Sequence, residues 1–394
     1  MIKEEIIIIG GGMAGCLAAL LLNSHGIGVT LVEKNKIPAD KKQILPPSSR
    51  TLAVMQPGID VLKEAGIWPD LRKHACPMEI MRIIEGTEQT DFIAADLNIS
   101  EFGFNIPNHV LHNTLLNKTR DTSGITLIDQ AELWDYQVDD TGVTVLLDND
   151  RELRGQLLVG ADGKNSRARH IAGIDAIKTN YKQMAMTCMI SHSRSHHNTS
   201  NEFHKPGGPF TTVPCPDGLT SAIVWCEREE TAAEYLSFKK NEIEQKIQDL
   251  SQNLLGEITL ESSLESYKIS GLVARKLTAH RLVLIAEAAH VLHPIGAQGF
   301  NLSLRDIKSL TDLLGRQKKL GLDLGSLSML KEYKSQRRSD TVSRFTGVTG
   351  WNELTATRSK GILKLRQAGM SLLDHVPALK RHAMKVGLGV KSGL

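Results

Sequence analysis

The chain has 394 residues, with 47 Lys plus Arg, 44 Asp plus Glu and 41% apolar residues. That balance excludes a disordered or fibrous protein, and roughly 100–200 residues per domain allows two or three structural units. A net charge of +3 is too small to make nucleic acid the main partner. Five cysteines without a Cys-x-x-Cys pair argue against a disulfide framework or a zinc site and point to a reducing, cytoplasmic setting.

Ile6-Ile7-Ile8-Ile9 is a short β-branched run of the kind that forms a buried parallel strand. Ile6 to Ser24 carries no charge, but Gly10 to Gly12 interrupt it, so it reads as strand, turn and helix rather than a signal peptide or membrane span. Met13 to Ser24 is rich in helix formers, Gly26 and Gly28 end it, and Val29 to Glu33 is the next strand. These make a βαβ unit. Lys34 to Ser49 reads as loop. Thr51 to Arg72 reads as largely helical, broken near Pro57-Gly58, with Trp68 near its end.

Strands are expected at Ile125–Leu133, Val143–Leu147 and Leu157–Val159, the last running into Gly160-Ala161-Asp162-Gly163. From about Tyr181 to Tyr267 the pattern is β-rich, with one helix near Asn241 to Leu255. Leu282 to Ile285 is another buried strand, and the chain from Asn301 onward reads as mostly helical. From Arg358 to Leu394 there are eight Lys or Arg against one acid, Asp374. This basic segment is either a solvated helical face or a surface that meets anionic lipid.

Gly10-x-Gly12-x-x-Gly15 lies between strand and helix, with Met13 and Ala14 opening the helix. The first glycine permits the turn, the second lets a pyrophosphate approach the backbone, and the third permits close packing. Glu33 ends the second strand, where an acid binds ribose hydroxyls, which favours NAD or the adenosine half of FAD over NADP. Gly387-x-Gly389 has no strand before it and is not a second cradle. Asp162 and Gly163 close one apolar strand, with Ser166 and Arg169 beyond. After Leu282–Ile285 come Ala286-Glu287-Ala288-Ala289-His290 and then His293 to Asn301. An acid at a strand end beside a glycine-rich helix start can steady negative charge on a cofactor ring.

These three segments, in this order, resemble class A flavoprotein monooxygenases of the p-hydroxybenzoate hydroxylase-like fold. His293 to Asp306, Ser49 to Ala53, Gly207-Gly208-Pro209 with Pro214, and Leu365 to Asp374 resemble the ubiquinone-biosynthesis hydroxylases. Ala286-Glu287 stands where that pattern has Gly-Asp, Ala297 where it has Gly, and Asn108 where the wider family often has Arg. The resemblance implies an α/β, Rossmann-like FAD-binding domain with an inserted β-rich substrate domain and a helical C-terminus. The parts would be 1–175 and 276–345 for FAD, 176–275 for substrate, and 346–394 for the basic helical segment.

It further implies that Gly10, Gly12, Met13, Ala14, Gly15 and Glu33 hold the ADP part of FAD, with Arg50 near the pyrophosphate. Asp162 and Gly163 would serve FAD and NAD(P)H, and Glu287 the ribitol. Pro294, Gly296, Ala297, Gln298, Gly299 and Asn301 would line the isoalloxazine. NAD(P)H would donate electrons and O₂ would oxidise the ring of a polyprenylated phenol through a flavin hydroperoxide. Membrane contact would run through the basic segment at the inner face, with membership of a biosynthetic complex as a further expectation. Competing readings are a hydroxylase of a soluble aromatic and a non-catalytic flavin-fold subunit. Phe203, Phe210 and Trp225 are candidates for touching an aromatic substrate, although core packing is their commoner role. His290 and His293 lack a third ligand at metal spacing and read as loop-packing residues; no metal is expected. No general base is nominated.

Overall fold

A computed structural model describes residues 2–3, 5–38, 48–357 and 359–389. Residues 39–47 of the expected Lys34–Ser49 loop, and Arg358 and residues 390–394 of the basic segment, lie outside the described residues. A six-stranded sheet carries the βαβ unit, in the order Thr278–Ala279, Leu282–Leu284, Leu157–Gly160, Ile6–Ile9, Val29–Val32, Ile125–Ile128. All but the first pairing are parallel. Ile6–Ile9 lies inside this sheet, so both its faces are covered and every side chain is buried. Helix Met13–Ser24 packs against helices Asn108–Asp121 and Gln298–Lys319.

The β-rich region is a large sheet in which Ala176–His192 lies between Glu265–Ala274 and Thr220–Arg228. Phe210–Pro214 and Thr199–Phe203 continue it. Between residues 176 and 274 it takes most of its strands, and it recruits two outside pieces. The hairpin Ile80–Glu85 and Glu88–Ile93, expected within the first FAD segment, adds to it through a parallel pairing with Thr199–Phe203. His290–Val291 adds at the opposite edge. Non-local pairing of this kind leaves no trace in local periodicity.

Further expectations need correction. Thr51–Met55 is a strand paired with Gly103–Pro107, not part of a helix. Pro57 opens helix Gln56–Glu64 instead of breaking one, and Trp68 opens rather than ends Trp68–Arg72. Proline lacks only an N–H that the first helical turn leaves unpaired anyway. The run Ile125–Leu133 divides at a turn where Gln130 has φ +52°, giving strands Ile125–Ile128 and Leu133–Asp139. Finally, the boundary at 346 falls inside the unbroken helix Leu327–Ala356, so no division occurs there. Helices Lys360–His375 and Pro377–Leu388 follow, and Gly389 caps the last at φ +77°.

All five cysteines are buried and unpaired. Burial pushes the Cys16, Cys188 and Cys226 thiols up to about 12, which makes them packing groups rather than nucleophiles.

Candidate functional site

Each glycine of the cradle has a distinct physical task. Gly10 sits at φ +110°, and a Cβ there would lie 2.4 Å from the Ala161 carbonyl oxygen. A Cβ on Gly15 would lie 1.9 Å from the Gly10 carbonyl oxygen, so helix and turn meet backbone to backbone. Gly12 meets nothing within 4 Å, because it faces a cleft of about 610 Å³. Met13, Ala14 and Glu33 line that cleft too. The helix start there has no side-chain cap, which leaves N–H groups for an anion. Glu33 accepts from the Gly11 N–H at 2.8 Å and from Asn35 through its other oxygen at 2.9 and 2.7 Å, which fixes the carboxylate at the cleft wall.

Opposite lie the other two expected segments. The Asp162 Oδ2 caps helix Arg167–Ile171 by accepting from Arg167 and Ala168 N–H groups at 2.7 and 3.0 Å. Arg169 donates to the Lys164 and Ala288 carbonyls, each at 2.8 Å, and so ties this turn to the 286–290 loop. His290, fully buried, bonds Asp306 at 2.6 Å, and Asp306 accepts from Arg337 at 2.8 Å and from the Ala286 N–H at 3.1 Å. Burial pushes the Asp306 carboxyl up, but His290 and Arg337 outweigh it and hold it below the usual carboxylate range. The loop thus rests on a buried ionic support. Ala286 pays for its position with φ +53°, a left-handed conformation where the family pattern has glycine.

A second cavity of about 530 Å³ lies between the large sheet and the strands Thr51–Met55 and Gly103–Pro107, and meets the cleft along a seam that includes Arg50, Leu52, Asn108, Glu287, Gly299 and Phe300. Gly299 has nothing within 4 Å of a Cβ, so a flat ring could lie against its backbone. Pro294, Gly296 and Ala297 line the second cavity beside it, with Gly296 at φ +64° and Ala297 at φ +53°. They start helix Gln298–Lys319, which again has no side-chain cap. Arg50 is exposed and held 4.9 Å over the Tyr267 ring. Burial raises the Tyr267 phenol, with Arg50 opposing it.

His293 is fully buried, and burial lowers it to about 4. Its Nδ1 accepts from the Ile295 N–H at 3.2 Å and its Nε2 faces Gln183 Oε1 at 3.2 Å, so the ring is neutral with both nitrogens engaged. These bonds make it a support of the 293–297 loop.

Some expected residues do other work. The Asn301 side chain bonds the Met55 N–H and the Ala53 and Ala297 carbonyls at 2.8–2.9 Å, bracing the helix start against Thr51–Met55 without lining the cleft. The Gln298 side chain turns to the Gly296 carbonyl and Arg344, away from both cavities. Phe203, Phe210 and Trp225 are buried in one cluster on a face of the large sheet, with Phe210 in tilted contact with Phe203 and edge-on to Trp225. They are core, not substrate contacts, because their strand positions face the helices that cover this sheet rather than the cavity. Conversely, the sequence reading missed Asn105. It lines the second cavity, is 1% exposed, and donates to the Pro214 carbonyl at 2.9 Å, leaving Oδ1 without a partner. An asparagine in a short strand carries no signal of such a role.

Does a flavin dinucleotide suit these residues? The cleft has four lining side chains with buried, unpartnered polar atoms: Asn108 Oδ1, Asp162 Oδ1, Arg167 Nε and His290 Nδ1. Such atoms are costly in a finished core and expected where a polar ligand completes them. With two uncapped helix starts and the Gly12 gap, the donor set fits a dinucleotide with a ring at the seam. Fold and cleft together define a flavin-dinucleotide protein of the aromatic-monooxygenase architecture.

The comparisons agree. A solved structure of p-nitrophenol 4-monooxygenase from Pseudomonas putida DLL-E4 superposes with TM-score 0.80 over 100% of both chains at 19% identity. Klebsiella pneumoniae HpxO, complexed with FAD and uric acid, gives 0.78 over 98% of this chain and 96% of that one at 16% identity. The chain belongs to the FAD binding domain family, whose model matches residues 3–343. It is similar to ubiquinone hydroxylase UbiL of Rhodospirillum rubrum, 27% identical over 388 residues, 98% of this chain and 89% of the relative. It is equally similar, at 27% identity and 98% of each chain, to 3-demethoxyubiquinol 3-hydroxylase of Escherichia coli.

Proposed function

We propose that the chain is an FAD-dependent monooxygenase that hydroxylates the ring of a polyprenylated phenol in ubiquinone biosynthesis. The observation that carries this reading is the seam, where a cleft suited to a dinucleotide and a second cavity share a wall. The relatives named as ubiquinone hydroxylases support the substrate class. Overall, phenol, O₂, NAD(P)H and a proton become hydroxylated phenol, water and NAD(P)⁺. Bound FAD supplies the redox chemistry with O₂.

The chain's own residues hold and shape the partners. Gly10, Gly12, Met13, Ala14 and Glu33 would hold the adenosine diphosphate part, with Gly15 packed beneath their turn, and Asp162 and Glu287 would hold the middle of the cofactor. The N-terminus of Gln298–Lys319 steadies negative charge at the ring. Asn105 Oδ1 accepts the phenol O–H and so orients the ring; the amide is locked by its bond to Pro214. Val291, Leu292 and Phe300 keep the seam apolar, which excludes water from the reacting atoms.

Peripheral membrane contact belongs to the same reading. Among the described residues no helix is long and apolar enough to cross a membrane. The last helices instead expose Leu372, Val376, Leu379 and Val386 beside basic residues such as Arg381. Leu379→Ser with Arg381→Glu is expected to weaken binding to anionic vesicles; unchanged binding removes the membrane role.

The direct test is the visible spectrum of FAD-loaded protein under anaerobic NADPH. Bleaching that a prenylated phenol accelerates supports the reading. A protein that takes up no FAD, or whose reduction ignores the phenol, overturns it and favours a non-catalytic subunit.

A further inference from the structure

A third cavity, of about 320 Å³, shares Met81, Ser200, Glu202 and Gly296 with the second. Its wall is mainly apolar: Met55, Ile83, Phe92, Phe102, Met384 and Leu388. Its polar edge is Ser200 and Glu202, where it meets the second cavity, and Glu202 is bonded to His204 at 2.9 Å; the two longest polar side chains on it are engaged elsewhere. Arg82 is paired with Asp91 through two bonds of 2.7 and 2.8 Å, and Gln298 is held by Arg344 and the Gly296 carbonyl. They contribute stems rather than free polar groups.

Three elements enclose it: the hairpin Ile80–Glu85 and Glu88–Ile93, helix Leu327–Ala356 and helix Pro377–Leu388. An apolar space of this size forfeits packing unless an apolar group fills it. Here polar ties fix the spacing. Arg366 is paired with the buried Glu85. Asp374 accepts from Thr90 at 2.7 Å and from Lys380 at 2.9 Å, and Arg344 donates to the Val386 carbonyl at 3.3 Å. The glycines facing the space widen it further, since Gly347 and Gly387 have nothing within 4 Å of a Cβ. The exposed Leu379 and Val386 belong to the same covering helix, giving an apolar chain a surface to continue on.

We infer that this third cavity holds the ring-proximal part of an isoprenoid tail whose phenol ring occupies the second cavity. The inference rests on the proposed hydroxylase reading for its substrate class, while the cavity's lining suits an apolar, uncharged chain rather than a polar cofactor. A compact aromatic without a tail fills the second cavity and leaves the third idle.

The test uses Gly347→Phe in the FAD-loaded full chain. The residue lies mid-helix, where a larger side chain raises helix propensity and projects into open space. With a prenylated phenol kcat/KM is expected to fall tenfold or more, while the same ring without a tail is turned over as in the parent. Equal losses on both substrates, or none on either, overturn the inference. Met384→Ala, which widens the space, is expected to keep or raise the preference for the tailed phenol; a lost preference also counts against it. A second readout does not need turnover. Geranylgeraniol, which has no phenol, is expected to change the fluorescence of Trp351 on the cavity wall, and Gly347→Phe to abolish that change. No binding to the parent protein overturns the tail site even if hydroxylation is observed. Binding without hydroxylation keeps the tail site and sinks only the hydroxylase reading.

Discussion

The two halves of this molecule build their cavities by opposite means. The cofactor cleft is made of backbone: glycines without side chains, uncapped helix starts, and polar atoms left unpartnered at its wall. The second and third cavities are made of side chains gathered from strands and helices far apart in the chain. A backbone cradle tolerates no substitution at its contacts, whereas a side-chain wall can be retuned. Sensitivity should therefore fall steeply from the first half to the second.

The largest effect is expected at Gly15. Gly15→Ala places a Cβ 1.9 Å from the Gly10 carbonyl, where neither backbone can yield, and should cost on the order of 3 kcal/mol and abolish FAD retention. Gly12→Ala sharpens the contrast: thermal unfolding should match the parent while FAD titration weakens at least tenfold, because that Cβ meets only the cleft. A Gly12 variant that unfolds early would show the cleft to be packing, not binding, space.

Next comes acid stability. His293 titrates near 6.5 when unfolded and at about 4 when folded, so between these values the unfolded chain binds the extra proton. Stability is then full above about pH 6.5 and falls on acidification toward pH 4, by roughly 3 kcal/mol from this group. His293→Gln should flatten that slope in melts taken across the window; Asp306, held below the usual carboxylate range, acts at lower pH.

Asn105→Leu should lower kcat/KM for the phenol about 10–100-fold with FAD affinity unchanged, since a buried acceptor to the substrate is lost. Smaller and opposite in sign, Ala286→Gly and Ala297→Gly should each stabilise by about 1 kcal/mol by relieving left-handed strain at φ +53°. Denaturant midpoints measure this. Smallest of all on turnover, Trp225→Phe should leave KM within about twofold; its stability cost of about 1–3 kcal/mol comes from the gap left in the core, since the indole N–H has no partner to lose.

The same contrast explains what was legible in the sequence. Gly10, Gly12, Gly15, Glu33, Asp162 and Glu287 announce themselves because a backbone cradle needs glycines and acids at fixed places after buried strands, and the structure places all but Gly15 on the cleft itself. Gly15 instead packs beneath the turn. Asn105 and the hairpin Ile80–Ile93 were invisible, because their roles arise from pairing with strands roughly 100 residues away in sequence. Phe203, Phe210 and Trp225 misled for the related reason that alternation along a strand gives two faces but not which one is covered. Thr51–Met55 was drawn into a helix by its neighbours' propensity until pairing with Gly103–Pro107 decided otherwise.

The central claim is that ring and cofactor meet at the seam. It is tested most directly by turnover of a prenylated phenol with FAD-loaded protein, NADPH and ¹⁸O₂, followed by mass spectrometry. One ¹⁸O on the aromatic ring per NADPH consumed is the expected result. NADPH consumption that yields hydrogen peroxide with an unlabelled, unchanged phenol would contradict it.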